Sequence, residues 1–461
     1  MLKQSLIALS VLVGVSACQP PATNETELPA VSPTSESTPS PTPLASATPT
    51  STPTAAPTPA PVISPSGQPT VQPTPAATPT PEPTVSPTAT PSEAPTPETT
   101  LLPLLEFERF KLLAGSGEDG RAKTGEQADE TPFSSGLSAI DVTPDKRIFI
   151  LNGTAGVLGE VTPEIVRSTT NQGDITYRLY WDRKTGLQQN TGMVYDANRQ
   201  RFYLARQSTH QILEIDMENY DVKVLAGTGA AGYNGDRDAT EAQIKQPTDV
   251  TVDSKGNIYF TDTGNHLLRK ITPDGKLITV AGQYIQDTRV EDEDDNPSFE
   301  PLGDTEGDGG PAREARLDRP TYLTVDQNDA IYFSSDSNTI RRIANDKIDR
   351  YIGSGQAGYN GDNFRADLVH LNKPQDLTFG PDGQLYFIDR GNLRVRRTFL
   401  EGSELRVQNL VGNGRKSRMV DSLINPLSAE LDPATMEFDP DGNLIVYDVE
   451  HRRFRRLEVK K

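Results

Sequence analysis

Three acidic residues of this chain recur in one local setting. Asp262, Asp389 and Asp448 each end an apolar run, and Asn265, Asn392 and His451 stand three residues further on. Carboxylates beside amides or imidazoles can hold a ligand's hydrogen-bond donors, hold a cation, or exchange protons with a substrate. Bonding their own loop amides is the commoner use of such residues, and is the expectation for any one of them. A second polar set, Asp249, Tyr322, Gln375, Asp376 and Thr435, lies on segments that read as the first strands of repeated units. It offers no nucleophile paired with a base. The four histidines are His210, His266, His370 and His451. Zinc needs converging imidazoles with partners behind them, and nothing fixes the separation of His210, His266 and His451, so no metal site is expected there. The acidic runs Glu291–Asp295 and Asp304–Asp308 carry oxygen ligands suited to Ca²⁺. Ala315 stands where an EF-hand loop would need its last glutamate, so a solvated acidic loop is expected, with Ca²⁺ the alternative.

The elements that must position these residues repeat along the chain. Pro247, Pro320, Pro374 and Pro433 each precede a turn position, Gly256, Asp329, Gly383 and Gly442, by the same interval. A short alternating run fills the interval, and an aromatic or aliphatic strand follows the turn. Fourth strands end on a shared phrase, as in Val224-Leu-Ala-Gly227 and Thr279-Val-Ala-Gly282. One supersecondary unit copied in this way needs its neighbours to bury its faces. Sustained helical periodicity is absent. The reading is an all-β, six-bladed propeller of four-stranded antiparallel blades over 104–461. Its clear blades span 243–282, 317–353, 371–412 and 430–459, and two weaker ones span 137–181 and 191–227. In the weak pair Lys146 and Gln200 replace the turn glycines. The last blade has three strands, and Phe107–Gly115, which ends in Leu-Leu-Ala-Gly, is expected to supply its fourth and close the ring.

The stretch Gly227-Thr-Gly-Ala-Ala-Gly-Tyr-Asn-Gly-Asp236, then Pro247, then Gly256-Asn-Ile-Tyr-Phe-Thr-Asp262-Thr-Gly-Asn265-His266 and Arg269-Lys-Ile271, resembles an NHL repeat. The glycine-rich connector is most similar to those of NHL propellers in teneurins and bacterial surface proteins. The resemblance implies a binding platform. Some enzymes that resemble this fold, the amidating lyases of peptidyl-hydroxyglycine, bind zinc through three histidines; lactonases and strictosidine-synthase-like proteins use a central channel. Such an enzyme is the alternative reading, and a purely structural envelope protein a further one.

Gly115, Gly227 and Gly353 open segments matching G-x-G-x-x-G. A dinucleotide fingerprint needs a helix next, whereas Tyr-Asn-Gly-Asp follows the segments opened by Gly227 and Gly353, so these read as links between blades. Strand parity sends those links and the loops between second and third strands to one face. The candidate binding surface is therefore Tyr233, Asn234, Asp236, Asp262, Asn265, His266, Asp308, Tyr359, Asn360, Asp362, Asp389, Asn392, Asp448 and His451, around the mouth of the channel. Arg269, Arg342, Arg396 and Arg455 read as one register with a structural role, pairing with an aspartate of an adjacent blade.

The N-terminus reads as an export address. Lys3, the apolar Leu6–Val15 and Val15-Ser-Ala-Cys18 resemble a bacterial lipobox, and Cys18 is the chain's one cysteine. Residues 1–17 are thus a signal peptide and Cys18 the lipidation site, which places the protein outside the cytoplasm. The outer membrane, the cell surface and the outer face of the inner membrane all fit. A multiply acylated cysteine holds a membrane firmly. Residues 18–103 are a Pro/Thr/Ser-rich linker too poor in apolar residues to fold, and biased to polyproline II. A net charge of −19, with no basic stripe, argues against nucleic acid. The expected partner is a protein, peptide or glycan.

Overall fold

The computed structural model describes residues 103–116, 118, 132–133, 136–153, 157–166, 174–185, 187, 190–284, 306–416 and 425–460. Cys18, the linker, Glu291–Asp295 and Asp304 lie outside them.

Six antiparallel sheets form, in chain order. Blade 1 is Leu137–Val142, Ile148–Asn152, Val157–Val166 and Asp174–Thr185, and blade 2 is Asn190–Asp196, Arg201–Arg206, Gln211–Asp216 and Val222–Ala226. Blade 3 is Val250–Val252, Ile258–Asp262, Leu267–Ile271 and Lys276–Ala281; blade 4 is Pro320–Val325, Ile331–Ser335, Ile340–Ala344 and Lys347–Ile352. Blade 5 is Pro374–Phe379, Leu385–Asp389, Arg394–Glu401 and Glu404–Val411. Blade 6 is Pro433–Phe438, Leu444–Asp448 and Arg453–Val459, with Phe107–Ala114 as its outer strand. The early strand runs antiparallel to the last one, pairing Phe107 with Val459, Phe110 with Leu457 and Ala114 with Phe454.

Six apolar clusters, one for each pair of neighbouring blades, close the ring. Tyr203 and Ile212 of blade 2 pack on Val250 and Phe260 of blade 3, and the series continues round to Ile445, Tyr447 and Phe454 of blade 6 against Ile140 and Ile150 of blade 1. Second strands such as Ile258–Asp262 and Leu444–Asp448 are buried on both faces, which explains their nearly unbroken apolar sequence. Lys146, Gln200 and Asp329 take the left-handed conformation at turns where other blades use glycine.

The glycine-rich links fold back on themselves. Gly227, Gly282 and Gly353 donate to the carbonyls of Ala239, Ala312 and Ala366, each opening a single 3-10 turn. A Cβ on Gly227 would lie 2.2 Å from the carbonyl of His210, and φ there is +94°, so only glycine fits. In blades 3 and 5 the link also adds a two-residue fifth strand, Arg237–Asp238 and Phe364–Arg365, to the outer edge.

The closing strand is clamped by its neighbour as well. The carboxylate of Asp382 in blade 5 accepts from the amide of Leu105 at 3.1 Å, and Arg397 donates to the Leu105 carbonyl at 2.6 Å. Tyr386 joins the same buried group through Asp382 at 2.9 Å.

Candidate functional site

The loop acids are absorbed by the fold. Asp262 is fully buried; it accepts from the amide of Lys245 at 2.6 Å and from Asn265 at 2.9 Å, and pairs with buried Arg269 at 3.4 Å. Arg269 also donates to the carbonyl of Gly235 at 3.0 Å and lies over the ring of Tyr233. Blade 5 repeats the knot: Asp389 takes Asn372, Asn392 and Arg396, and Arg396 reaches the Gly361 carbonyl and the Tyr359 ring. In blade 6, Asp448 accepts from the Asp432 amide and contacts His451 at 2.6 Å and Arg455 at 3.7 Å. Burial raises Asp262 to about 6, against the pull of Asn265, the Lys245 amide and Arg269.

The arginine register differs from the expected one in blade 4. The buried member is Arg341, which pairs with Asp308 at 2.5 Å, while Arg342 lies over the ring of Tyr332. The loop after Ser335 is one residue shorter than those after Asp262 and Asp389, so the arginine facing Phe333 comes one place earlier. The carboxylates these arginines meet belong to their own blade and to the link laid on its edge.

Asn234 and Asn360 pin their links, accepting from the amides of Gln243 and His370. Asp236 and Asp362 accept from the amides of Thr279 and Asn409 on outer strands. His210 and His266 accept at Nδ1 from the amides of Gln246 and Arg319, the residues just before Pro247 and Pro320. Burial lowers His266 and keeps it neutral. Each histidine thus serves its own blade junction, and among the described residues no three His, Cys, Asp or Glu side chains are placed to hold a metal.

The polar side chains that do converge lie in the central channel. All six innermost strands line a cavity of about 100 Å³, and no lining residue is basic. Two tiers are set by the register. The tier nearer the loop face holds Ala139, Gly192, Asp249, Tyr322, Asp376 and Thr435; two residues along each strand lie Asp141, Val194, Thr251, Thr324, Thr378 and Glu437. In five blades the ladder slips just before or at the first tier, a bulge that re-aims the side chain there.

Three of the acids bridge blades through a backbone amide. Asp141 accepts from the amide of Tyr195 at 2.5 Å, Asp249 from that of Leu323 at 3.0 Å, and Asp376 from that of Met436 at 2.6 Å. Acids of blades 1, 3 and 5 thus hold blades 2, 4 and 6. Glu437 accepts from Thr378 at 3.1 Å and from the amide of Phe438 at 2.7 Å. Burial is the main cause that raises Asp249 and Glu437 to about 8, Asp141 to about 7 and Asp376 to about 6. The charge of Asp376 pushes Asp249 further up, and that of Asp141 does the same to Glu437. The amides bonded to Asp141, Asp249 and Asp376 are thereby occupied, which leaves none of the three to stabilise an oxyanion.

Asp249, Tyr322, Asp376 and Thr435 meet as the sequence suggests, whereas Gln375 does not line the cavity. Asp141, Glu437 and Gly192 are among the channel residues that sequence reasoning misses. Alternation along Ile140-Asp-Val142 and Met436-Glu-Phe438 is the signal that could have found the acids.

An NHL repeat model matches residues 245–271, the stretch that builds the front of blade 3. Teneurin-m of Drosophila melanogaster is 24% identical over 282 residues, 55% of this chain and 10% of its own length. The domain is an NHL-repeat β-propeller. The chloroplastic protein SUPPRESSOR OF QUENCHING 1 of Arabidopsis thaliana is 25% identical over 285 residues, 59% of this chain and 25% of that protein. The NHL propeller thus spans a quarter or less of these relatives' length. A crystal structure described as an auxiliary nutrient binding protein from Bacteroides ovatus shares the fold, with a TM-score of 0.53, 13% identity, and coverage of 77% of this chain and 78% of that one.

Proposed function

We propose that this NHL propeller is a binding platform, tethered outside the cytoplasm by a lipid on Cys18, that grips a protein, peptide or glycan partner at the mouth of its central channel. One observation carries the reading: four acids, Asp141, Asp249, Asp376 and Glu437, line a cavity to which every blade contributes. About 100 Å³ is small beside the ~300 Å³ and more of pockets that enclose a whole ligand, so a partner enters by a projecting group while its bulk rests on the loops. A fold neighbour named for nutrient binding supports a binding role.

Photo-cross-linkers placed at Tyr359, which is 38% exposed on the loop face, test this on intact cells. A discrete adduct is expected there and none from a position on the opposite face, such as Lys255. Equal labelling from both positions would remove the platform. Cys18→Ser should move the protein from the membrane fraction to the soluble one; unaltered membrane association would refute the tether.

A further inference from the structure

We infer that the channel receives the ammonium-bearing tip of an organic ligand, held by Asp141, Asp249, Asp376 and Glu437 together with the hydroxyl of Tyr322. The inference rests on the binding-platform reading and gives its ligand a chemistry. Four carboxyl groups share the cavity with no basic lining residue. The nearest cation acting on Tyr322 is Arg390, which is committed elsewhere: it donates to the Pro433 carbonyl at 2.5 Å and pairs with Asp432 at 2.9 Å. A positive charge is therefore what the cavity lacks.

Tyr322 adds a hydroxyl to the four acids. It is partly buried and lines the same cavity. Burial and the nearby charges of Asp376 and Asp249 keep it a neutral phenol, able to accept from an ammonium. The rigid cradle around Asp249 points the same way: the bare Cα of Gly192 leaves the space its Oδ1 fills.

A metal ion fits less well. No three acid or imidazole groups among the described residues converge on one coordination point. An ammonium group donates in three directions and tolerates longer, angled contacts to scattered acceptors. The two tiers of acids suit a head group that lies along the axis. Because Asp141, Asp249 and Glu437 hold protons near neutral pH, an entering cation displaces protons, and affinity must rise with pH.

The test uses the full-length chain with 1,4-diaminobutane as probe and 1,4-butanediol as its neutral control, at equal ionic strength. Calorimetry should show saturable binding of the diamine at about pH 8.5, with proton release seen as buffer-dependent heat, and roughly tenfold weaker binding at about pH 5.5. The diol should give no saturable heat. Asp376→Asn and Glu437→Gln should each weaken the diamine roughly fivefold or more. Tyr322→Phe keeps the ring and should lose about threefold, so one variant remains informative if the others unfold. No saturable heat at the higher pH, equal binding of the diol, or unchanged affinity in the variants would overturn the inference. If the diamine fails while a cross-linked partner is still captured at the loop face, the ammonium receptor falls and the platform stands. Diamine binding with no partner captured would sustain the receptor and remove the platform.

Discussion

Gly192 of blade 2 sits so close to Asp249 of blade 3 that a Cβ on it would lie 2.2 Å from Oδ1 and 2.6 Å from Cα. Neither the carboxylate nor its strand can retreat, because Asp249 holds the Leu323 amide of blade 4. Gly192→Ala should therefore cost about 1–3 kcal/mol, the usual range for overpacking. Urea unfolding measures it, and a variant as stable as the parent would show that the junction yields.

The buried arginines hold the loop knots. Removing one partner of a buried ion pair costs about 3–5 kcal/mol, because the other charge is stranded. Arg396→Ala should fall in that range by stranding Asp389, and Arg341→Ala should be comparably destabilising. Arg342→Ala, which removes a side chain lying over Tyr332, should cost under about 1 kcal/mol. If Arg342 proved the costlier of the two, the register assigned to blade 4 would be wrong.

Protons set a stability slope. The carboxyls of Asp141, Asp249 and Glu437 titrate at about 7 to 8 in the fold against roughly 4 in an unfolded chain. The folded state binds the extra protons, so their stabilising contribution is complete below about pH 4 and lost as pH climbs through about 7 to 8. Asp329 acts oppositely. Its bond to Lys255 holds it at about 2, so its contribution is present above about pH 4 and lost on acidification. Tm should peak on the acid side of neutrality, and stability should fall by a few kcal/mol between about pH 5.5 and 8.5. Asp249→Asn should flatten the slope. A profile level across that interval would contradict the burial of these acids.

Ring closure depends on Phe107–Ala114. Phe110 is fully buried among Leu444, Val446 and Leu457. Phe110→Ala should cost about 3–5 kcal/mol, and deleting Leu104–Gly115 should lower Tm far more by baring the Arg453–Val459 edge. An unchanged Tm after the deletion would mean that another segment closes the ring.

The architecture is legible because each good blade carries its own punctuation: a proline, a tight turn, an apolar run and a glycine. Even the weak blades keep it in altered form, with Lys146 and Gln200 at positive φ. Counting from Asn338 points to Arg342 instead of Arg341, because a one-residue loop deletion is invisible to such a count. The channel is half legible. Asp249 and Asp376 sit two places after a conspicuous proline, whereas Asp141 follows no such marker. Its neighbour Glu437 lies nearly 300 residues away, and only closure of the ring brings the two within electrostatic reach. No local pattern encodes that meeting.

The shared last blade has a consequence for engineering. The amide of Lys460 donates to the carbonyl of Glu106 at 2.7 Å, so both ends of the domain leave the disc side by side. A short peptide could join them, and fresh ends could be cut at the Pro273–Gly275 hairpin, where a Cβ on Gly275 would meet nothing within 4 Å. Such a permutant would begin and finish within blade 3, and its sixth sheet would arise from consecutive chain.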